Sequence, residues 1–183
     1  MDKFYIDRNE ALLLVIDIQE KLLPVISNKE GITDKNNILI SAANKLNIPI
    51  VYTEHYAKGI GPTVEKLKQN LSNAVKFDKV AFSACLEDGF LELISKIKRK
   101  KIIVTGTEAH VCVFQTIRDL LNNGYDVFVP IDAVGSREDV IKDNALSLLR
   151  DMGAVITNTE LIVFDLVKIS GTPEFKEILK LVK

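Results

Sequence analysis

Three observations in the sequence predict an α/β fold: helices on both faces of a mostly parallel central sheet of about six strands, a three-layer αβα sandwich. Short apolar, β-branched runs alternate with amphipathic stretches along the chain. Leu12 to Ile16 and Ile102 to Val104 are apolar throughout, the pattern of parallel strands buried on both faces. Each run then stops, at Asp17 and at Gly106, and ligands collect beyond such carboxyl edges in open α/β sheets.

The elements follow in order. Leu12 to Ile16 forms strand one, closed by Asp17, which also suits a helix cap. Helical spacing runs from about Asn36 to Leu46, with Asn47 as C-cap, and Ile50 to Thr53 is strand two, with Glu54 and His55 at its end. Tyr56 to Pro62 holds two glycines and a proline and reads as a loop, and Thr63 to Leu71 as a short helix. Phe77 to Ser83 is a weaker strand, which brings Lys79 near the functional edge only if the segment runs past it. Phe90, Leu93, Ile94 and Ile97 mark an amphipathic helix within Leu86 to Ile97.

After strand Ile102 to Val104 and Gly106, helical spacing resumes at Val113, Ile117, Leu120 and Leu121 and ends at Asn123-Gly124. Tyr125 to Ile131 is the next strand, stopped by Asp132. Ser136 is placed to cap a helix from Arg137 to Met152. Ala154 to Ile156 is a last short strand, Thr159 caps a helix through Val167, and Thr172 with Pro173 opens a terminal helix.

With 183 residues, 47% apolar and 27% charged, the composition fits one soluble domain over 1–183. A net charge of -1 argues against nucleic acid as partner. The cluster Lys96, Lys98, Arg99, Lys100 and Lys101 reads as a solvated helix end. Two cysteines, Cys85 and Cys112, are too few for a disulfide framework, and the charged N-terminus lacks an apolar signal segment; a cytoplasmic setting, with no membrane, is expected. Cys85 reads as core packing.

Cys112 falls near the first turn of its helix. Unpaired N–H groups and the positive dipole end there favour a thiolate nucleophile and face a developing oxyanion, whereas the same position also suits a small buried core residue. Asp17, Glu54 and Cys112 all follow predicted parallel strands and so share one edge of the sheet. His55 and His110 line a pocket, bind a metal or make structural hydrogen bonds.

The block GTEAHVCVFQT, with VIDIQ before it and FDKVAFSA between, resembles the isochorismatase-like cysteine hydrolase superfamily. YTEHYAKGIGPTVEKL and TPEFKEILKLVK extend the likeness to the isochorismatase-domain branch over nearly the whole chain. The resemblance implies an Asp17, Lys79, Cys112 triad that hydrolyses a carbon–nitrogen, amide-type bond of a small molecule through a thioester. It further implies a non-proline cis peptide at Thr107–Glu108, an oxyanion hole from the N–H groups of Glu108 and Cys112, and homo-oligomers, for which Leu161 to Val167 would suit an interface. The substrate-facing candidates are Glu54, His55, Tyr56, Phe82, His110 and Phe114, with Glu54 shaping the site. Thr53-Glu54-His55 departs from the Asp-x-His of metal-dependent nicotinamidases, and Cys112 departs from true isochorismatases, so no metal and no cofactor are expected. The competing reading is a catalytically idle or redox-responsive binding protein. A nucleotide-binding domain is disfavoured, because the turn has one glycine and lacks GxGxxG spacing.

Overall fold

The computed structural model describes residues 2–183. Its sheet contains β1 (Ala11–Ile16), β2 (Ile50–His55), β3 (Val75–Lys79), β4 (Lys101–Thr107), β5 (Asp126–Pro130), the two-residue β6 (Val134–Gly135) and β7 (Val155–Thr157). The order is β3-β2-β1-β4-β5-β7, with β6 against the end of β4, and these pairings are all parallel. The helices are α1 (Lys29–Lys45), α2 (Ala57–Ile60), α3 (Glu65–Lys68), α4 (Phe90–Ile97), α5 (Cys112–Asn122), α6 (Asp139–Asp151), α7 (Thr159–Val167) and α8 (Pro173–Val182).

The continuous apolar run of β1 is explained by what lies on each side of it. Leu13 and Val15 pack with Leu39 and Ile40 of α1, Ile162 of α7 and Ile178 of α8. Leu12, Leu14 and Ile16 pack with Phe90 and Ile94 of α4, Val113 and Ile117 of α5 and Leu149 of α6. Each fully buried aliphatic side chain contributes about 1.5–3 kcal/mol, so neither face of β1 has room for a polar residue. The chain runs outward from β1 through β2 to β3, then returns to place β4 on the other side of β1. The reversal opens a crevice beyond the carboxyl ends of β1 and β4, where Asp17 and Cys112 follow.

Several elements differ from the sequence reading. Helix α1 starts at Lys29 rather than near Asn36, because its polar first turns bury only Ile32 and Thr33 and show little apolar period. The expected loop after β2 contains the helical turn α2. Strand β3 ends at Lys79 instead of continuing to Ser83, and α4 begins at Phe90 after a separate turn at Ala84–Leu86. Ser136 does not cap α6; Glu138 holds that position. Asn158, not Thr159, caps α7, its side chain accepting from Leu161 N–H at 2.8 Å.

Two surface expectations also fail. Lys101 is buried, its ammonium donating to the carbonyls of Asp2 at 2.8 Å and Tyr5 at 2.5 Å, so it anchors the N-terminal segment rather than meeting solvent. Within Leu161 to Val167, the residues Ile162, Val163, Leu166 and Val167 are buried in this chain's own core, which leaves mainly Leu161 to face outward. Among the described residues no helix is long and apolar enough to cross a membrane.

Gly106 allows β4 to close on β1. Its φ is +111°, and a Cβ there would lie 1.9 Å from the carbonyl oxygen of Ile16. Gly106→Ala is expected to destabilise the fold by roughly 2–4 kcal/mol, read as a lower denaturant midpoint at unchanged slope. A midpoint equal to wild type would mean that the approach of the two strands tolerates a methyl group.

Candidate active site

Four neighbouring strands each deliver one part of the site. Asp17 leaves β1 with φ 47°, a left-handed conformation that a short polar side chain tolerates better than most. This turn aims the carboxylate across the strand ends. Thr53 of β2 donates its hydroxyl to Asp17 Oδ1 at 2.6 Å, and Thr107 at the end of β4 donates to the Asp17 carbonyl at 2.6 Å.

Lys79, the last residue of β3, lies beside His55 in the register of β2 and β3. Its ammonium reaches within 2.7 Å of Asp17 Oδ2, with both side chains 0% exposed. It also donates to the carbonyls of Ala81 and Phe82 at 3.2 Å each. Two of its N–H donors thereby meet carbonyl oxygens, while Asp17 is held by charge. The approach to Oδ2 lies off the hydrogen-bond axis, so this buried oxygen lacks an aligned donor and keeps a lone pair for a proton.

Cys112 is the first residue of α5 and its side chain is buried. A donor atom from each of Asp17, His55 and Cys112 lies within 4.8 Å of the others. Burial, followed by the Asp17 charge, pushes the Cys112 thiol up to about 12, and Lys79 offsets this only in part. The sequence left a thiolate nucleophile and a buried core residue both open at the helix start; burial and the Asp17 charge hold the thiol protonated there. His55 is held below the ordinary histidine value, first by burial and then by Lys79, whose Nζ lies 3.4 Å from Nδ1. Its ring stacks on Phe82 at 5.6 Å between centroids.

Aspartate, histidine and cysteine at this spacing form a donor set for a metal ion. The Lys79 ammonium already sits against Asp17 and His55, however, so a dication there would face a buried positive charge.

The Thr107–Glu108 peptide is cis, as the resemblance implied. Among the described residues, no acceptor pairs with the backbone N–H of Glu108 or of Cys112. Both therefore remain available to an oxyanion.

The model of the isochorismatase domain matches residues 11–161. The chain belongs to the isochorismatase family. Isc1 of Phytophthora sojae, a secreted isochorismatase effector, is 39% identical over 179 residues, 96% of this chain and 85% of that protein. MAR1 ribonuclease from Caenorhabditis elegans superposes with a TM-score of 0.90 at 40% identity, covering 97% of this chain and 92% of its own. YcaC from Pseudomonas aeruginosa, solved with hexane-2,5-diol and covalent acrylamide, superposes at 0.89 with 27% identity, covering 97% and 91%.

In this isochorismatase-family chain, Asp17, His55, Lys79, Phe82 and Cys112 come together. Other residues named from the sequence serve neighbouring roles. Glu54 accepts from Thr63 N–H at 2.7 Å and pairs with Lys76 at 2.8 Å, so one oxygen holds the loop after β2 and the other is taken by β3. Tyr56 is half exposed and lays its ring against Gly59 of its own loop. His110 Nδ1 lies 3.0 Å from Ser136 Oγ, and Phe114 packs on the apolar layer shared with α4 and α6.

Sequence reasoning missed Thr53, Thr107, Gln19 and Arg137. Gln19, fully buried, accepts from His55 N–H at 2.7 Å and donates to the His55 carbonyl at 3.0 Å, fixing the histidine backbone. Polar residues at or just past the ends of apolar strands were the available signal for the first three; nothing distinguished Arg137 in sequence.

Removing the Asp17 charge while keeping Lys79 lowers the thiol pKa. Asp17→Asn should therefore speed alkylation of Cys112 by iodoacetamide at pH 8, about ten-fold for each unit of fall. Peptide mass spectrometry separates Cys112 from Cys85. In wild type the rate should still be rising above pH 10, and a plateau below pH 9 would contradict the buried, acid-flanked thiol.

Proposed function

We propose that the chain is a metal-independent, cofactor-free cysteine hydrolase that cleaves a carbon–nitrogen, amide-type bond of a small molecule. The observation that carries this reading is the wholly buried Asp17–Lys79 pair beside the Cys112 thiol, with Asp17 Oδ2 lacking an aligned donor. Asp17 accepts the thiol proton as sulfur forms its bond to the substrate carbonyl. Carbonyl electrons move onto oxygen, facing the N–H groups of Glu108 and Cys112. Collapse expels the amine, which takes the proton back from Asp17 and leaves a thioester. Water then attacks the thioester, giving the acid and restoring the thiol. Lys79 fixes the base and moderates the charge that accumulates on sulfur.

Burial and the Asp17 charge push the Cys112 thiol up, so attack draws on Asp17 as its base. The burial of Cys112 weighs against a peroxide-sensing protein, because oxidation begins from an accessible thiolate. The structure of YcaC, 27% identical to this chain, holds covalent acrylamide, which fits a reactive nucleophile in this fold. The stacked His55 and Phe82, with Phe82 53% exposed, form the wall we assign to substrate contact. A ribonuclease reading, taken from the C. elegans relative, meets balanced charge: Lys58, Lys76 and Lys79 share their cleft with Glu54, Asp78 and Glu87. That gives a polyanion no net attraction. Val80, Phe82 and Leu86 stand exposed on one loop, and we propose that a homo-oligomer covers part of it, a state that light scattering reads directly.

Screening small amides and RNA with wild type, Cys112→Ala and Asp17→Asn tests the assignment. Turnover of an amide should fall at least about 10³-fold in both variants, while a chelator leaves the wild type unchanged. A thioester adduct on the Cys112 peptide should be trapped by rapid acid quench. Equal turnover by wild type and Cys112→Ala would remove the assigned nucleophile.

A further inference from the structure

Residues 133–137 grip the turn that carries Glu108 along its whole length. Strand β6 pairs with Gly106 and Thr107. The N–H of Gly106 donates to the Ala133 carbonyl at 3.0 Å, and that of Ala109 to Gly135 at 2.7 Å. Ser136 meets His110, and Arg137 closes on Glu108 with Nε to Oε1 at 2.8 Å and Nη2 to Oε2 at 3.2 Å. The strap is itself fixed from behind. The buried Asn36 amide donates to the Ala133 carbonyl at 2.8 Å, and Ser27 N–H to the Ser136 carbonyl at 2.9 Å. Gly135 sits so close to the Ile32 and Ile26 side chains that a Cβ would fall 2.3 and 2.6 Å from them.

Arg137 is the one charged tip of this strap, and it is unequally placed: its side chain is 62% exposed whereas that of Glu108 is 8% exposed. Arg137 is the exposed partner, so what it supplies is compensation of the buried Glu108 carboxylate. Its effect is local. Without it, Glu108 would hold an uncompensated negative charge on the same residue whose N–H faces the reacting oxygen, opposing the charge that develops there.

We propose that Arg137 is a positioning residue for the oxyanion hole, acting through Glu108: it cancels the Glu108 charge and fixes the orientation of that residue. This inference rests on the cysteine hydrolase reading, and two reagents separate the two. Addition of Cys112 to acrylamide forms a bond from sulfur to the β-carbon. The alkene electrons pass through the α-carbon onto the carbonyl oxygen as an enolate, and the thiol proton ends on the α-carbon. Iodoacetamide forms the same kind of sulfur–carbon bond by expelling iodide and develops no oxyanion. The ratio of the two rates at Cys112 therefore reports oxyanion stabilisation independently of thiol reactivity.

Arg137→Ala is expected to lower that ratio at least ten-fold, and Arg137→Lys, which loses the two-point grip, to fall between. Adding Glu108→Gln to Arg137→Ala removes the stranded charge and should recover most of the loss, an outcome that simple loosening of the turn would not produce. An unchanged ratio in Arg137→Ala, or a double variant as impaired as the single, overturns the positioning role. If wild-type Cys112 shows no higher ratio than the unfolded chain, the oxyanion hole fails and the hydrolase reading fails with it.

Discussion

Two opposite charges without water, the Lys79 ammonium and the Asp17 carboxylate at 2.7 Å, set the terms for everything around them. Desolvating each ion costs several kcal/mol, and removing one partner of such a pair typically costs about 3–5 kcal/mol. The pair persists because its neighbours fill most of the remaining valences. Thr53 donates its hydroxyl to the other carboxylate oxygen, and the carbonyls of Ala81 and Phe82 accept from the ammonium. Sheet order makes this possible: β3, β2, β1 and β4 lie side by side, so the partners arrive from four separate strand ends onto one edge. An edge strand supplies the lysine, whose long stem crosses the end of β2 and leaves only its charge at the centre.

Electrostatics then constrain the proposed chemistry. The start of α5 offers a positive end to Cys112, but the sulfur is buried and faces a carboxylate, and those two effects prevail. A thiol kept protonated at rest needs a base within reach, which is the role left open for Asp17 Oδ2. The neutral state favoured for His55 fits the same balance, because a second cation beside Lys79 would draw the carboxylate away from the thiol.

The sheet was legible because its strands are buried on both faces: Leu12 to Ile16 and Ile102 to Val104 had no polar alternation to disguise them. Edge strand β3 was misjudged for the opposite reason. Its residues are largely exposed, so VKFDK carries little hydrophobic signal, and the boundary at Lys79 comes from pairing with β2. Caps at Ser136 and Thr159 were misassigned because each hydroxyl has a tertiary partner, His110 and Asp132 respectively, that local sequence does not reveal. Lys101 shows the same blindness, since a lysine within a basic run reads as solvated unless the carbonyls of the N-terminal segment are known to surround it. Asp17 and Cys112 could be placed at one edge from strand ends alone; the meeting of Lys79 with them followed only from the family resemblance.

The surroundings of the site divide into parts that are held and parts that are presented. Gln19 and Glu54 tie the loop after β2 through backbone groups, and Glu87 does the same for the next loop, accepting from the N–H groups of Val80 at 2.6 Å and Ala81 at 2.5 Å. These contacts read main chain, so they fix loop shape while leaving side chains free to vary. What the loops then present outward is apolar: Tyr56, Val80 and Phe82 are all more than half exposed. On the proposed reading, chemistry and recognition fall to different atoms, a buried charged centre locked by the sheet and an exposed apolar rim. On that reading, substitution at the rim changes the surface offered to a substrate while the ion pair stays in place, consistent with function residing in sites grafted on a fold.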